Sequence, residues 1–178
     1  MNEFALDLDR IRADARAHME KGAVTDTYTL DRQQVIEVLN DVLATELVCV
    51  ARYKHHYYSV TGVHGPAVRA ELLEHANDEQ RHADMAADRI TQLGGEPIFD
   101  PEVVAKRSHT QYGPGDQTLR DMIREDLVAE RIAVSTYAEI IRWLGNHDAT
   151  TRRMMEELLA DEEEHADDLR DLLDRLPE

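Results

Sequence analysis

The sequence has one cysteine, Cys49, five prolines, eight glycines and only 5% aromatic residues in 178 positions. A single cysteine excludes an internal disulfide and any Cys-x-x-Cys metal site. No apolar run reaches the roughly 18 residues that a membrane-spanning helix requires, so no membrane partner is expected. Basic residues are also scarce, 20 against 37 acidic ones, for a net charge of −17. A surface of that sign does not displace counterions from a phosphate backbone, which argues against direct DNA binding. The amino-terminal MNEFALDLDR is acidic and lacks the charged-then-apolar pattern of a secretory leader. The cytoplasm is therefore the expected compartment.

What is abundant is Ala, Leu, Glu and Arg, with 42% hydrophobic residues overall. That is the composition of an all-α chain with enough apolar material for one core. A short amphipathic helix is predicted over residues 3 to 21, ending at Gly22 and belonging to an N-terminal extension over 1–30. The first long helix starts near Asp31 and reaches Gly62, about 30 residues or 45 Å. The second follows the GVHGP turn, with Pro66 in its first turn, and stops at Gly94-Gly95. Some 20 residues without sustained periodicity come next, EPIFDPEVVAKRSHTQYGPGDQ, read as a loop. The third long helix runs from about Asp116 to Gly145 and the fourth from about Asp148 to Leu176, joined by the GNHD turn. Short, long and short connections give two antiparallel hairpins with one long crossover, so residues 31–178 are expected to form a four-helix bundle.

Each long helix carries a seam at alternating steps of three and four, the spacing that keeps one stripe facing a partner. In the first, the seam is Ile36, Leu39, Leu43, Glu46, Val50, Tyr53, Tyr57 and Val60. In the third it is Ile123, Leu127, Glu130, Val134, Tyr137, Ile141 and Leu144. The fourth gives Met155, Leu158, Glu162, His165, Leu169, Leu172 and Leu176, and the second gives Val68, Leu72, His75, Glu79, His82, Ala86, Arg89 and Leu93. Every seam is thus interrupted near its middle, twice by a lone Glu and twice by Glu-x-x-His.

Four carboxylates and two imidazoles at one level of a core need compensating charge, because an unpaired buried carboxylate is costly. Lys and Arg stay off the four seams, apart from Arg89 toward one end. Two divalent cations would neutralise four Glu and leave two neutral His as nitrogen donors. An i, i+3 pair lies about 60° apart on one helical face, so each Glu-x-x-His can serve one metal. Glu46 and Glu130 can cap or bridge. The same spacing selects Glu162 within DEEEH and leaves Glu163 and Glu164 as solvated surface.

The segments ATELVCVARY, NDEQRHAD, EDLVAERIA and ADEEEHADDL, with these ligands in order on four helices, resemble the ferritin-like superfamily. The similarity is to bacterioferritin and to the bacterioferritin-like group of Dps-like proteins, and it covers about residues 31 to 176. It implies a diiron ferroxidase centre at Glu46, Glu79, His82, Glu130, Glu162 and His165, with Tyr53 beside the metals. The implied reaction is oxidation of Fe(II) by O2 or H2O2, with the ferric product stored as mineral in a homo-oligomeric shell and oxidative stress relieved as a result. Gln80 stands where bacterioferritin carries its haem-ligating Met, so haem is not expected. The chain runs only about sixteen residues beyond Glu162, too few for the fifth helix of 24-subunit ferritins, which favours a dodecamer. A lysine-rich DNA-binding tail and the paired cysteines of some bacterioferritin-like Dps proteins are both missing, and Cys49 alone reads as a small buried hydrophobe.

His75, with Glu74 and Asp78, is a candidate auxiliary iron site or access path, set against a hydrogen-bonded core His. His55 and His56 are expected at the surface or an interface, Tyr57 and Tyr58 in packing. The loop histidines His64, His109 and His147 carry no signal. The alternative function is another diiron or dimanganese redox enzyme on the same bundle, such as a peroxidase, catalase or oxygenase. A purely structural helical module does not account for six polar groups interrupting four seams at one level.

Overall fold

The computed structural model describes residues 5–62, 65–113 and 118–176, and among these every regular element is helical. Helix α1 spans Leu8–Ala17 and α2 spans Arg32–Ser59; α3 is Gly65–Gln92, α4 Pro101–Arg107, α5 Leu119–Leu144 and α6 Ala149–Arg175. The starts are marked by side chains that satisfy free backbone N–H groups. Asp31 accepts from Gln33 N and Gln34 N ahead of α2, Thr118 from Asp121 N ahead of α5, and Asp148 from Thr151 N ahead of α6. Each such cap contributes about 1 kcal/mol. Gly94, at φ 77°, ends α3 in the left-handed region, which costs a residue without Cβ little. The next residue, Gly95, lies so close to Ile36 that a Cβ would meet its side chain at 2.7 Å, so the turn itself is packed on α2.

Two expectations change here. The N-terminal helix is shorter than residues 3 to 21: α1 ends at Ala17, and a single 3-10 turn follows over Met19–Lys21. Residues 3 and 4 lie outside the described part, as do His64 and residues 116 and 117 of the expected third helix. No residue of α1 is buried, so nothing extends it once its own hydrogen bonds fray. The crossover also contains a helix, α4, which was read as loop. Asp100 accepts from Glu102 N, and Pro101 occupies the first turn with φ already set. A seven-residue helix with one buried side chain, Val104, is too short to show periodicity.

Side-chain bonds give the helix directions. Glu46 meets Tyr137, Tyr53 meets Glu130, and Arg52 and His56 meet Asp126, so α2 and α5 run antiparallel. Tyr53 also meets His75, and Glu46 faces His82, which makes α2 and α3 antiparallel. It follows that α3 and α5 are parallel, the one-crossover bundle. α4 packs on the outside of α2.

The core is divided. One apolar cluster holds Leu39, Leu43, Ile90, Leu144, Met155 and Leu158, and a second holds Val60, Val68, Leu72, Ile123 and Leu169. Each fully buried Leu or Ile contributes roughly 1.5–3 kcal/mol. Between the two clusters lies a layer that the hydrophobic effect does not explain: Glu46, Glu79, His82, Glu130, Glu162 and His165, none more than 4% exposed.

Candidate metal centre

These six residues are brought together from four helices, Glu46 from α2, Glu79 and His82 from α3, Glu130 from α5, and Glu162 and His165 from α6. Their ligand atoms fall into two overlapping groups, Glu46, Glu79, His82 and Glu162 on one side and Glu79, Glu130, Glu162 and His165 on the other. Glu79 and Glu162 are common to both. His82 Nδ1 stands 3.3 Å from Glu162 Oε1, 3.5 Å from Glu79 Oε2 and 3.7 Å from Glu46 Oε2. His165 Nδ1 stands 3.5 Å from Glu162 Oε2 and 3.7 Å from Glu79 Oε1. Each shared carboxylate therefore turns one oxygen to each imidazole. Glu46 and Glu130 each belong to one group, whereas the α3 and α6 glutamates belong to both.

The donor set fits metal ions. Both oxygens of Glu79, both of Glu162, Glu130 Oε2 and Nδ1 of both histidines are buried without a hydrogen-bond partner among the described residues. Buried polar atoms are ordinarily paired, and seven orphans facing one another need a cation. Oxygen with imidazole nitrogen suits first-row divalent metals such as iron.

With protons as the only cations, the cluster compensates itself. Burial, then the neighbouring carboxylates, push Glu79 and Glu130 well above the usual carboxylate range. Burial opposes ionisation of Glu162 too, but the adjacent His165 and His82 rings and the Glu130 carboxyl outweigh it and hold this carboxyl low. Burial disfavours a charged His82, yet Glu162 and Glu46 raise it to about 11. Two divalent ions would replace these retained protons.

Around the cluster, tyrosines fix the two unshared carboxylates. Tyr53 donates to Glu130 and Tyr137 donates to Glu46. Tyr53 stands beside the six-residue cluster through its bond to Glu130. Tyr137 was read only as part of an apolar stripe, although it follows Glu130 by seven residues as Tyr53 follows Glu46. Asp161, also missed, accepts from His82 Nε2 at 3.0 Å and from Arg81 at 2.6 Å. Its signal was faint, a partly exposed acid beside a stronger candidate. Glu163 and Glu164 are exposed, as the spacing required.

Other expectations are corrected or extended. Arg52, which lies off the seam, is also buried. It donates to Asp126 at 3.0 Å, to the Gln111 carbonyl at 2.8 Å and to Cys49 Sγ at 3.2 Å, tying the crossover to the bundle. Cys49 is buried in the second apolar cluster as expected, and its Sγ also meets Arg52 and Thr110. His56 is buried against Asp126 at 2.8 Å instead of lying at the surface, while His55 is exposed. Tyr58 is 77% exposed rather than packed. Arg89 is paired with Asp148 at 3.0 Å. His75 lines one pocket with Glu74 and Asp78, while the ligand atoms that converge on it are those of Glu71 and Asp168.

The geometry can be set beside known proteins. The ferritin-like domain family matches residues 36–178. A bacterioferritin of Desulfovibrio desulfuricans is 32% identical over 75% of this chain and 71% of its own length. A DNA protection during starvation protein of Pyrococcus furiosus is 30% identical over 76% and 75%. Among solved structures, the bacterioferritin-related protein of Bacteroides fragilis, described as a dodecameric thioferritin, has a TM-score of 0.78 at 32% identity, covering 81% of this chain and 86% of that one. Dps of Thermosynechococcus elongatus, at 20% identity and TM-score 0.76, shares the fold. Family match, relatives and bundle agree: the chain belongs to the ferritin-like family.

Proposed function

We propose that the protein is a ferroxidase that oxidises Fe(II), sequesters the product in a protein shell and so limits oxidative stress. The observation that carries this reading is the pair of overlapping four-ligand groups, with one oxygen of Glu79 and one of Glu162 turned to each imidazole. Fe(II) is the substrate. Glu46, Glu79, His82 and Glu162 would hold one ion, and Glu79, Glu130, Glu162 and His165 the other. Two Fe(II) yield two electrons, enough to reduce O2 to H2O2 or H2O2 to water. The electron pair must leave both ions together, and the shared carboxylates keep them adjacent. Tyr53 and Tyr137 orient Glu130 and Glu46, and Asp161 orients His82. Haem has no part in the proposal, since Gln80 is exposed and bonded to Asp84.

Storage needs an enclosed volume that a single bundle does not provide, and closed shells arise by repeating a few symmetric contacts. The similarity to a dodecameric protein at 32% identity supports twelve subunits. No described helix is long and apolar enough to cross a membrane, and the charge of −17 favours attraction of cations over nucleic acid. The test is aerobic addition of many Fe(II) per chain, followed by gel filtration. Iron that elutes with the protein supports storage; iron that precipitates while only a stoichiometric amount is oxidised would favour a redox enzyme on the same bundle.

A further inference from the structure

The two halves of the bundle repeat one pattern. Glu46 and Tyr53 are seven apart, as are Glu130 and Tyr137; Glu79-x-x-His82 is matched by Glu162-x-x-His165. One break in the repeat lies beside the cluster. His75, four residues before Glu79, has Leu158 as its counterpart before Glu162. Glu71, eight before Glu79, corresponds to Met154, and Asp168, three after His165, corresponds to Met85. The fold therefore accepts an apolar trio at this position on one side, where Leu158 is buried with Met85 and Met154 packed against its cluster. On the other side it has Glu, His and Asp.

This polar trio is expensive to keep. His75 is 1% exposed, and its Nε2 is buried without a hydrogen-bond partner among the described residues. Leaving such a group unsatisfied destabilises the fold. The ring cannot turn to relieve it, because it stacks on His165 with centroids 4.1 Å apart and its Nδ1 lies 3.3 Å from the Tyr53 hydroxyl. Nε2 instead aims at Glu71 Oε1, 3.6 Å away, and Asp168 Oδ2, 3.9 Å away. All three ligand atoms lie within 4.8 Å of one another, a span that one cation can bridge. His75 and Asp168 also line a pocket of about 240 Å³ between α3 and α6, which would supply water ligands. Of the other acids lining this pocket, Asp161 is engaged by Arg81 and His82 and Asp78 lies 3.5 Å from Arg81, while Glu74 and Glu164 add negative charge.

We propose that Glu71, His75 and Asp168 form a third divalent-cation site in each chain, outside the six-ligand cluster and on the far side of the His165 ring from it. One nitrogen and two carboxylate oxygens with open positions suit Fe(II) or Mn(II). The site rests on its own ligands; only the naming of Fe(II) as the cellular ion rests on the function proposed above.

The test uses the whole protein, crystallised and soaked in Mn(II), with the ions located by anomalous scattering. Two variants accompany it: Asp168→Ala at a half-exposed position, and the triple change Glu71→Met, His75→Leu, Asp168→Met, which copies the apolar trio the fold already accepts. The expected result is a peak at His75 Nε2 in the unmodified protein that is lost in both variants, while peaks at the six-ligand cluster remain. Peaks at the cluster alone in the unmodified protein, or a His75-region peak that survives both variants, would overturn the third site and leave the proposed function standing. A peak at His75 with none at the cluster would keep the third site and overturn that function.

Discussion

Asp161 holds His82 by its outer nitrogen, Oδ2 to Nε2 at 3.0 Å, and this leaves Nδ1 facing Glu46, Glu79 and Glu162. The carboxylate fixes the ring by accepting the Nε2 proton, so Nδ1 is the nitrogen offered to a metal once its own proton is displaced. Replacing Asp161 by Ala should weaken metal binding roughly 10–100-fold while the helical fold survives. Competition with a chelator of known affinity measures the change. Unaltered affinity would show that packing alone orients the ring.

The overlap of the two ligand groups separates the carboxylates by consequence. Glu79→Gln removes the negative charge shared by both positions and should abolish paired binding. Glu130→Gln affects only the group containing His165 and should leave one tight ion per chain. Anaerobic Co(II) titration, read by its visible absorption, gives the stoichiometry. Equal losses in both variants would mean that Glu130 also bridges.

Why the first-neighbour ligands were legible and their supports were not follows from periodicity. Glu46, Glu79, Glu130 and Glu162 interrupt apolar seams, where a charged residue is conspicuous. Arg52, Asp126 and His56 are equally buried but lie off the seam positions, and they neutralise one another across α2 and α5. Such a network leaves no mark in a single helix's pattern, because its members are 74 and 70 residues apart. Tyr137 was hidden for a different reason: its ring fits an apolar stripe, and only its hydroxyl serves Glu46. Helix α4 is set by a cap and a proline in seven residues, too brief for any period to register.

Metal-free protein should lose stability as pH rises from 6.5 toward 11. His82 titrates near 6.5 when unfolded and is raised to about 11 in the fold, so over that window the native state holds a proton that the unfolded chain has released. Glu79 and Glu130, raised by burial, act in the same direction above 4.5. His75, lowered to about 3 by burial, contributes no slope above 6.5. Each extra proton held costs about 1.4 kcal/mol of stability per pH unit. Urea unfolding of chelator-treated protein across this range measures the slope, and saturating Mn(II) should flatten it. A flat metal-free profile would contradict the proton-compensated cluster.

The native particle should have a mass near twelve times the 20.3 kDa chain, about 240 kDa if two-fold and three-fold contacts close the shell. Iron uptake should slow as salt screens the negative field. Light scattering after gel filtration decides: about 490 kDa would indicate a 24-subunit shell, and a stable monomer or dimer would remove storage.

The most direct test of the central claim, that iron held by Glu46, Glu79, His82, Glu130, Glu162 and His165 is oxidised in pairs, is stopped-flow mixing of anaerobic Fe(II)-loaded protein with O2 and, separately, with H2O2. A rapid phase that saturates at two Fe(II) per chain, and is absent in the Glu79→Gln variant, is the expected result. Oxidation no faster than that of free Fe(II), or a rapid phase that persists without Glu79, would contradict it.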